Sequence, residues 1–131
     1  MSEGPPSFIL RIQKDEMERQ LFNLHTFYIG IKRDWSRRAR VLFVRKDAFT
    51  GSGIIGSIIG LNDLEEPERK LFIENNWYAK LVFSRLARFL PPVPINDTPV
   101  AGQNPLTLHC ASIAGSELLR IEGLAPAKII S

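Results

Sequence analysis

Apolar and polar positions change period several times along the chain, and each change predicts an element. Phe8 to Ile12, FILRI, places Phe8, Leu10 and Ile12 on one face of a strand and Ile9 and Arg11 on the other. Lys14 to Leu24 then takes a helical period. Met17, Leu21 and Leu24 share one stripe, while Asp15, Glu16, Glu18 and Arg19 face water. Thr26 to Ile31, TFYIGI, predicts a short strand. Arg40 to Lys46 follows with Val41 and Phe43 on one side and Leu42 and Val44 on the other, a strand covered on both faces. Ile54 to Leu61 likewise has no polar face. Thr50-Gly51-Ser52-Gly53 predicts the turn between these two strands. Gly56 and Gly60, inside the second, mark a bulge, a bend or a close backbone approach.

Glu65 to Asn75 predicts a short helix with Pro67 in its first turn, Leu71 and Phe72 as core contacts, and Asn75-Asn76 at its end. Trp77 to Leu90 predicts a long strand. Its apolar phase slips at Leu86 and Leu90, which predicts a bulge near Ser84-Arg85. Pro91 to Pro94 reads as an extended linker or edge segment. Leu106 to Ala111 predicts a last strand. Ser112 or Ser116 caps a C-terminal helix carrying Leu118, Leu119 and Ile121, closed by Gly123. Residues 1–6 read as a disordered tail, 7–124 as one domain and 125–131 as a C-terminal tail. Strands dominate and no βαβ series occurs. The expected fold class is therefore α+β, a small curled mixed β-barrel with short flanking helices.

Composition narrows the options. With 131 residues, 44% hydrophobic and 24% charged, the chain suits a single globular domain. No apolar run approaches the roughly 18 residues of a membrane span, and MSEGPPS does not read as a secretory signal. One cysteine, Cys110, leaves no internal disulfide and no thiolate zinc cluster. These features give a cytoplasmic protein as the default expectation.

The net charge of +3 is unevenly spread. Residues 32–50 carry seven basic side chains (Lys32, Arg33, Arg37, Arg38, Arg40, Arg45, Lys46) against Asp34 and Asp47. An acidic stretch follows. Such a basic block is either a solvated loop or a surface for an anionic partner such as nucleic acid. Trp35 stands in its middle. A tryptophan there either plugs the end of the core or offers a flat face on which a base can stack.

Several chemistries are missing. TGSGIIG lacks the Lys-Ser or Lys-Thr of a P-loop. GSGIIG has G-x-G-x-x-G spacing but is expected to run into a strand, not a helix, so it predicts no dinucleotide site. His25 and His109 are the only histidines, and no metal-binding pair or H-x-E deaminase element exists. No G-x-S-x-G elbow is present. No cofactor, metal site or catalytic residue is assigned.

The order RVLFV, turn, GIIGSIIGL, acidic stretch, WYAKLVF, PPVPI, LTLH and a closing SELLRI helix resembles the EVE domain. That domain belongs to the PUA-like superfamily, with the YTH and ASCH domains. The resemblance covers Phe8 to Ile121. It departs from the family at Arg38-Ala39, which replaces the usual Gly-Asp before the central strand. It implies a PUA-like curled barrel of five or six strands with a pocket for one base, often a modified one. YTH relatives cage a methylated adenine with aromatic side chains.

The expected function is therefore a nucleic-acid-binding module, for RNA or DNA, that reads one base, with a modified base suspected. Phe27, Tyr28, Trp35 and Trp77 are the candidate pocket aromatics. Lys32, Arg33, Arg37, Arg38 and Arg40 would hold phosphates, and His109 would bond a base edge. One alternative is an enzyme acting on a nucleotide or nucleoside in the same pocket, using Asp34, Asp47 or Asp63. Another is a protein-interaction module whose basic stretch meets an acidic partner. The sequence reads as binding more than as catalysis.

Overall fold

Five of the six strands grow from the apolar runs just described. A computed structural model describes residues 6–98 and 100–130; Met1–Pro5 of the expected tail lie outside them. Strand β1 (Ser7–Arg11) leads through α1 (Asp15–Leu24) to β2 (Thr26–Ile29). Then come β3 (Arg40–Arg45), β4 (Ala48–Gly60), α2 (Glu66–Asn75), β5 (Ala79–Pro94), α3 (Gly115–Leu124) and β6 (Ala127–Ile130). The sheet is mixed and ordered β1-β3-β4-β5-β2, with β6 also paired to β5. β1 runs parallel to β3, and the other pairings are antiparallel. The path ends at β1 and β2, with no pairing between them among the described residues. The sheet curls but does not close, so the expected barrel is an open sheet.

Alternation along β1 and β3 divides two cores. Phe8, Leu10, Ile12, Val41 and Phe43 join one cluster with Leu21 of α1, Phe27 and Ile29 of β2, and Leu81 and Phe83 of β5. Ile9, Leu42 and Val44 join a second with Phe49, Phe89, Leu118 and Ile121, under α3. This is why neither strand has a polar face: each is buried on both sides.

The Gly-rich segment is not the turn. The β3–β4 hairpin closes at Lys46-Asp47, between paired Arg45 and Ala48, with Lys46 in the left-handed region at φ 56°. Gly51 and Gly53 lie inside β4 because β5 leaves them no room. A Cβ at Gly51 would sit 2.4 Å from the Ala87 carbonyl oxygen, and one at Gly53 would sit 2.7 Å from Leu86 Cδ2. The expected bulge does occur: Ile54 pairs with Arg85 and Ile55 with Phe83, so Ser84 is skipped, and Gly56 packs against Ser84.

Pro91–Pro94 is an extended edge segment, as expected: it continues β5, pairing Val93 and Pro94 with Phe49 and Ala48 on one side, beyond the β6 pairing that ends at Leu90. Other expectations change. Leu106–Ala111 is turns and a short 3-10 segment instead of a strand, although Cys110 N–H donates to the Ile9 carbonyl and Ala111 O accepts from Ile9 N–H. Cys110 takes φ 62°, which a strand cannot contain. The C-terminal segment pairs as β6, and α3 runs past Gly123 to Leu124 with Ala114 at its N-cap, not Ser112 or Ser116.

Candidate functional site

A cavity of about 660 Å³ opens where the two unpaired ends of the strand path approach each other. Arg11, the last residue of β1, lines one side; Thr26, Phe27 and Tyr28 of β2 line the other. Helix α1 and the end of α2 complete the walls. The volume falls within the range of small-molecule pockets, roughly 300–1,000 Å³.

Alternation in β2 sends Phe27 and Ile29 into the core and leaves Thr26 and Tyr28 half-buried. Tyr28 meets the aromatic end of α2. Its ring lies 4.8 Å from Phe72 and 4.9 Å from Trp77, and Phe72 and Trp77 are 5.5 Å apart at 80°. Helix α2 brings Trp77 there by its ending. Asn76 takes φ 56° and its N–H bonds back to Phe72 and Ile73 carbonyls, which turns the chain onto Tyr28.

The polar side is built by β1. Arg11 backbone N–H donates to His109 Nδ1 at 2.9 Å. That bond leaves Nε2 to carry the proton of the neutral ring, as a donor with no partner among the described residues. Burial, and then the Arg11 charge, hold the His109 pKa below its ordinary value of 6.5, so the ring is neutral at pH 7. Arg11 Nε is buried and has no hydrogen-bond partner among the described residues. A buried N–H of this kind costs on the order of 1–3 kcal/mol unless something accepts from it. The cavity thus offers two aromatic rings, a neutral imidazole donor and an unpartnered guanidinium donor.

Tyr28 is anchored from behind. Its hydroxyl donates to Glu68 Oε2 at 2.6 Å, and Lys80 Nζ donates to Glu68 at 3.1 Å. Burial, with the Glu68 bond, pushes the Tyr28 pKa up to about 12. Burial alone would raise Glu68, but the bonds from Tyr28 and Lys80 and the Lys80 charge hold it below its ordinary value. The phenol stays protonated and the carboxylate charged, so the group fixes the ring's position.

The ten sequence candidates separate. Phe27, Tyr28, Trp77 and His109 line this cavity, Phe27 with its ring mostly in the core. Lys32 and Arg33 follow Gly30 and Ile31, which line the cavity's margin. Arg33 donates to Ser112 Oγ at 2.8 Å and covers the Phe8 ring. Trp35 takes the plugging role. It is 9% exposed, packs 4.6 Å from Phe8, and donates from Nε1 to the Ile31 carbonyl at 2.9 Å. A ring so covered has no face left for a base. Arg37, Arg38 and Arg40 are exposed near the start of β3, where Arg40 pairs with Ser7. That is the opposite end of β1 from Arg11, roughly 13 Å away at strand rise. No residue of the basic block therefore lines the aromatic cavity; Lys32 follows Ile31 at its margin, and Arg33 is turned to Phe8 and Ser112.

Arg11 is the site residue that sequence reasoning misses. Its signal is present: a charged residue ending an otherwise apolar strand.

No family model matches the chain, and no curated protein matches it in sequence. Among solved structures, the crystal structure of ASCH from Zymomonas mobilis superposes with a TM-score of 0.63 at 10% identity, covering 90% of this chain and 94% of that one. A tyrosine-to-phenylalanine variant of the same protein gives a TM-score of 0.62 at 10% identity, covering 90% and 97%. The likeness is one of fold, shared with these ASCH structures. It does not single out the EVE type.

Proposed function

We propose that this chain is a nucleic-acid-binding module that holds a single base in the cavity between β1, β2 and α2. The ASCH-type fold agrees with that reading, and the observation that carries it is the pairing of chemistries in one cavity. Tyr28 and Trp77 provide ring surface for stacking, while Arg11 Nε and His109 Nε2 provide donors. A base has a π-face for the former and ring nitrogens or carbonyl oxygens for the latter. A modified base extends the apolar contact with Trp77. Lys32, which follows Ile31 at the margin, takes a flanking phosphate.

Labelled single-stranded RNA and DNA, with and without methylated bases, titrated at two salt concentrations, test this. Binding should be salt-sensitive, and Trp77→Ala should weaken it by about 1–3 kcal/mol, the worth of one stacked base. Absence of binding at low salt, or unchanged affinity in both Trp77→Ala and Arg11→Gln, rejects it.

An enzyme reading would draw on the Tyr28–Glu68–Lys80 group, since none of Asp34, Asp47 and Asp63 lines the cavity. Asp63 instead borders a smaller depression with Glu68 and Lys80. A phenol with its pKa pushed up to about 12 is a poor base at neutral pH, which favours binding over turnover. Release of product from nucleosides or nucleotides by the purified protein would reverse that preference.

A further inference from the structure

A second depression, of about 270 Å³, lies on the face of the sheet that α3 covers. Its floor is made by rows of paired residues. Arg40, Ile54 and Arg85 form one row across β3, β4 and β5, and Ser52, Ala87 and Ile130 form the next across β4, β5 and β6. Arg40 and Arg85 therefore stand on one face, two strand spacings or about 10 Å apart. Lys128 of β6 closes a third side, and Glu122 of α3 the fourth.

Charge within the depression is unbalanced. Outside it, Arg45, Arg69, Lys80 and Arg88 all pair with carboxylates. Arg85 and Lys128 pair with nothing among the described residues, and Arg40 has only Glu122, 4.0 Å away. Glu122 is itself engaged, since Oε2 accepts from the hydroxyl of Ser52, a residue only 3% exposed. The result is a concave site with three cations, one carboxylate and a buried hydroxyl. Such a surplus of positive charge in a hollow concentrates anions.

We infer that this depression is a phosphate-binding site, which in a nucleic-acid complex takes backbone phosphates of the strand whose base enters the first cavity. The assignment of the strand rests on the function proposed above; the phosphate chemistry does not. Arg85 and Lys128 make the contacts. Glu122 acts against them by competing for Arg40.

Two measurements test it. Salt dependence of oligonucleotide binding should flatten in Arg85→Gln/Lys128→Gln, with the slope of log affinity on log salt reduced by about 1.4, or about 0.7 per lost contact on a single strand. Base preference should be unchanged. Glu122→Gln, whose amide oxygen still accepts from Ser52, should bind the same strand more tightly. An unaltered slope in the double variant overturns the assignment of the strand to this site. Pyrophosphate titration, followed by amide shifts of residues 40, 52, 85 and 128, reads the site without any base. Saturating shifts there uphold the phosphate site even where no oligonucleotide binds, which would place the failure in the base-binding proposal. Absence of shifts at millimolar pyrophosphate overturns it.

Discussion

At the scale of single residues, each aromatic has a distinct role that substitution separates. Trp35→Ala removes a ring packed on Phe8 together with its bond to the Ile31 carbonyl. It should lower unfolding free energy by about 3–5 kcal/mol, as large aromatic deletions in cores do. Denaturant titration reads this directly, and a change below about 1 kcal/mol would mean the ring is not a core plug. Tyr28→Phe keeps the ring but loses the hydroxyl bond to Glu68. It should cost about 1 kcal/mol in stability and leave base binding nearly intact, because the stacking face survives. Loss of binding in Tyr28→Phe comparable to Trp77→Ala would instead give the hydroxyl a direct role with the ligand. The sequence shows both tryptophans but not which is covered. That depends on Phe8 and the Ile31 carbonyl, which only the fold brings to Trp35.

At the scale of elements, the long β4–β5 pair shows why glycine is ambiguous in a sequence. TGSG suggests a turn because glycine suits turns. In the structure Gly51 is in the strand, with the Ala87 carbonyl and Phe22 where a Cβ would stand. Gly51→Ala should therefore destabilise by about 1–3 kcal/mol through overpacking against backbone. Gly60, by contrast, has open space where a Cβ would stand and a φ of −82° that alanine also adopts. Gly60→Ala should be neutral or stabilising by up to about 1 kcal/mol. Thermal midpoints of the two variants should move in different directions or by clearly different amounts. Equal losses would mean that the close approach at Gly51 is not what selects glycine there. The bulge at Ser84 is legible because an apolar phase slip survives in sequence. The hairpin at Lys46-Asp47 is not, because its one turn former, Asp47, has no glycine beside it and the glycines at 51 and 53 give a stronger turn signal nearby.

At the scale of the whole molecule, one open sheet separates two cores and leaves its unpaired ends, β1 and β2, beside the candidate site. Burying His109 at that seam links ligand site and stability. Its folded pKa lies below the ordinary 6.5, so the unfolded chain binds the proton more readily. Stability from this group is complete above about pH 6.5 and is lost as pH falls through the folded value. Glu68, also held low, adds a further loss beneath the ordinary carboxylate value of 4.5. His109→Asn, whose side-chain oxygen can accept from Arg11 N–H, should flatten the upper part of that profile and spare the lower. Unfolding midpoints measured from pH 7.5 down to about pH 4 would show this. A wild-type profile flat through pH 6 would remove the argument for a buried neutral imidazole.

The sequence by itself determined the strands with two apolar faces, the helices α1 and α2, the bulge near Ser84 and the aromatic residues Phe27, Tyr28 and Trp77. All of these follow from local period and residue type, which act over a few neighbours. The tertiary structure alone decided that the sheet stays open, that residues 127–130 add a strand, that Trp35 is covered, and that Arg11 meets His109 across 98 positions. Those outcomes depend on which segments pack together, and packing between distant segments leaves no periodic trace in either one.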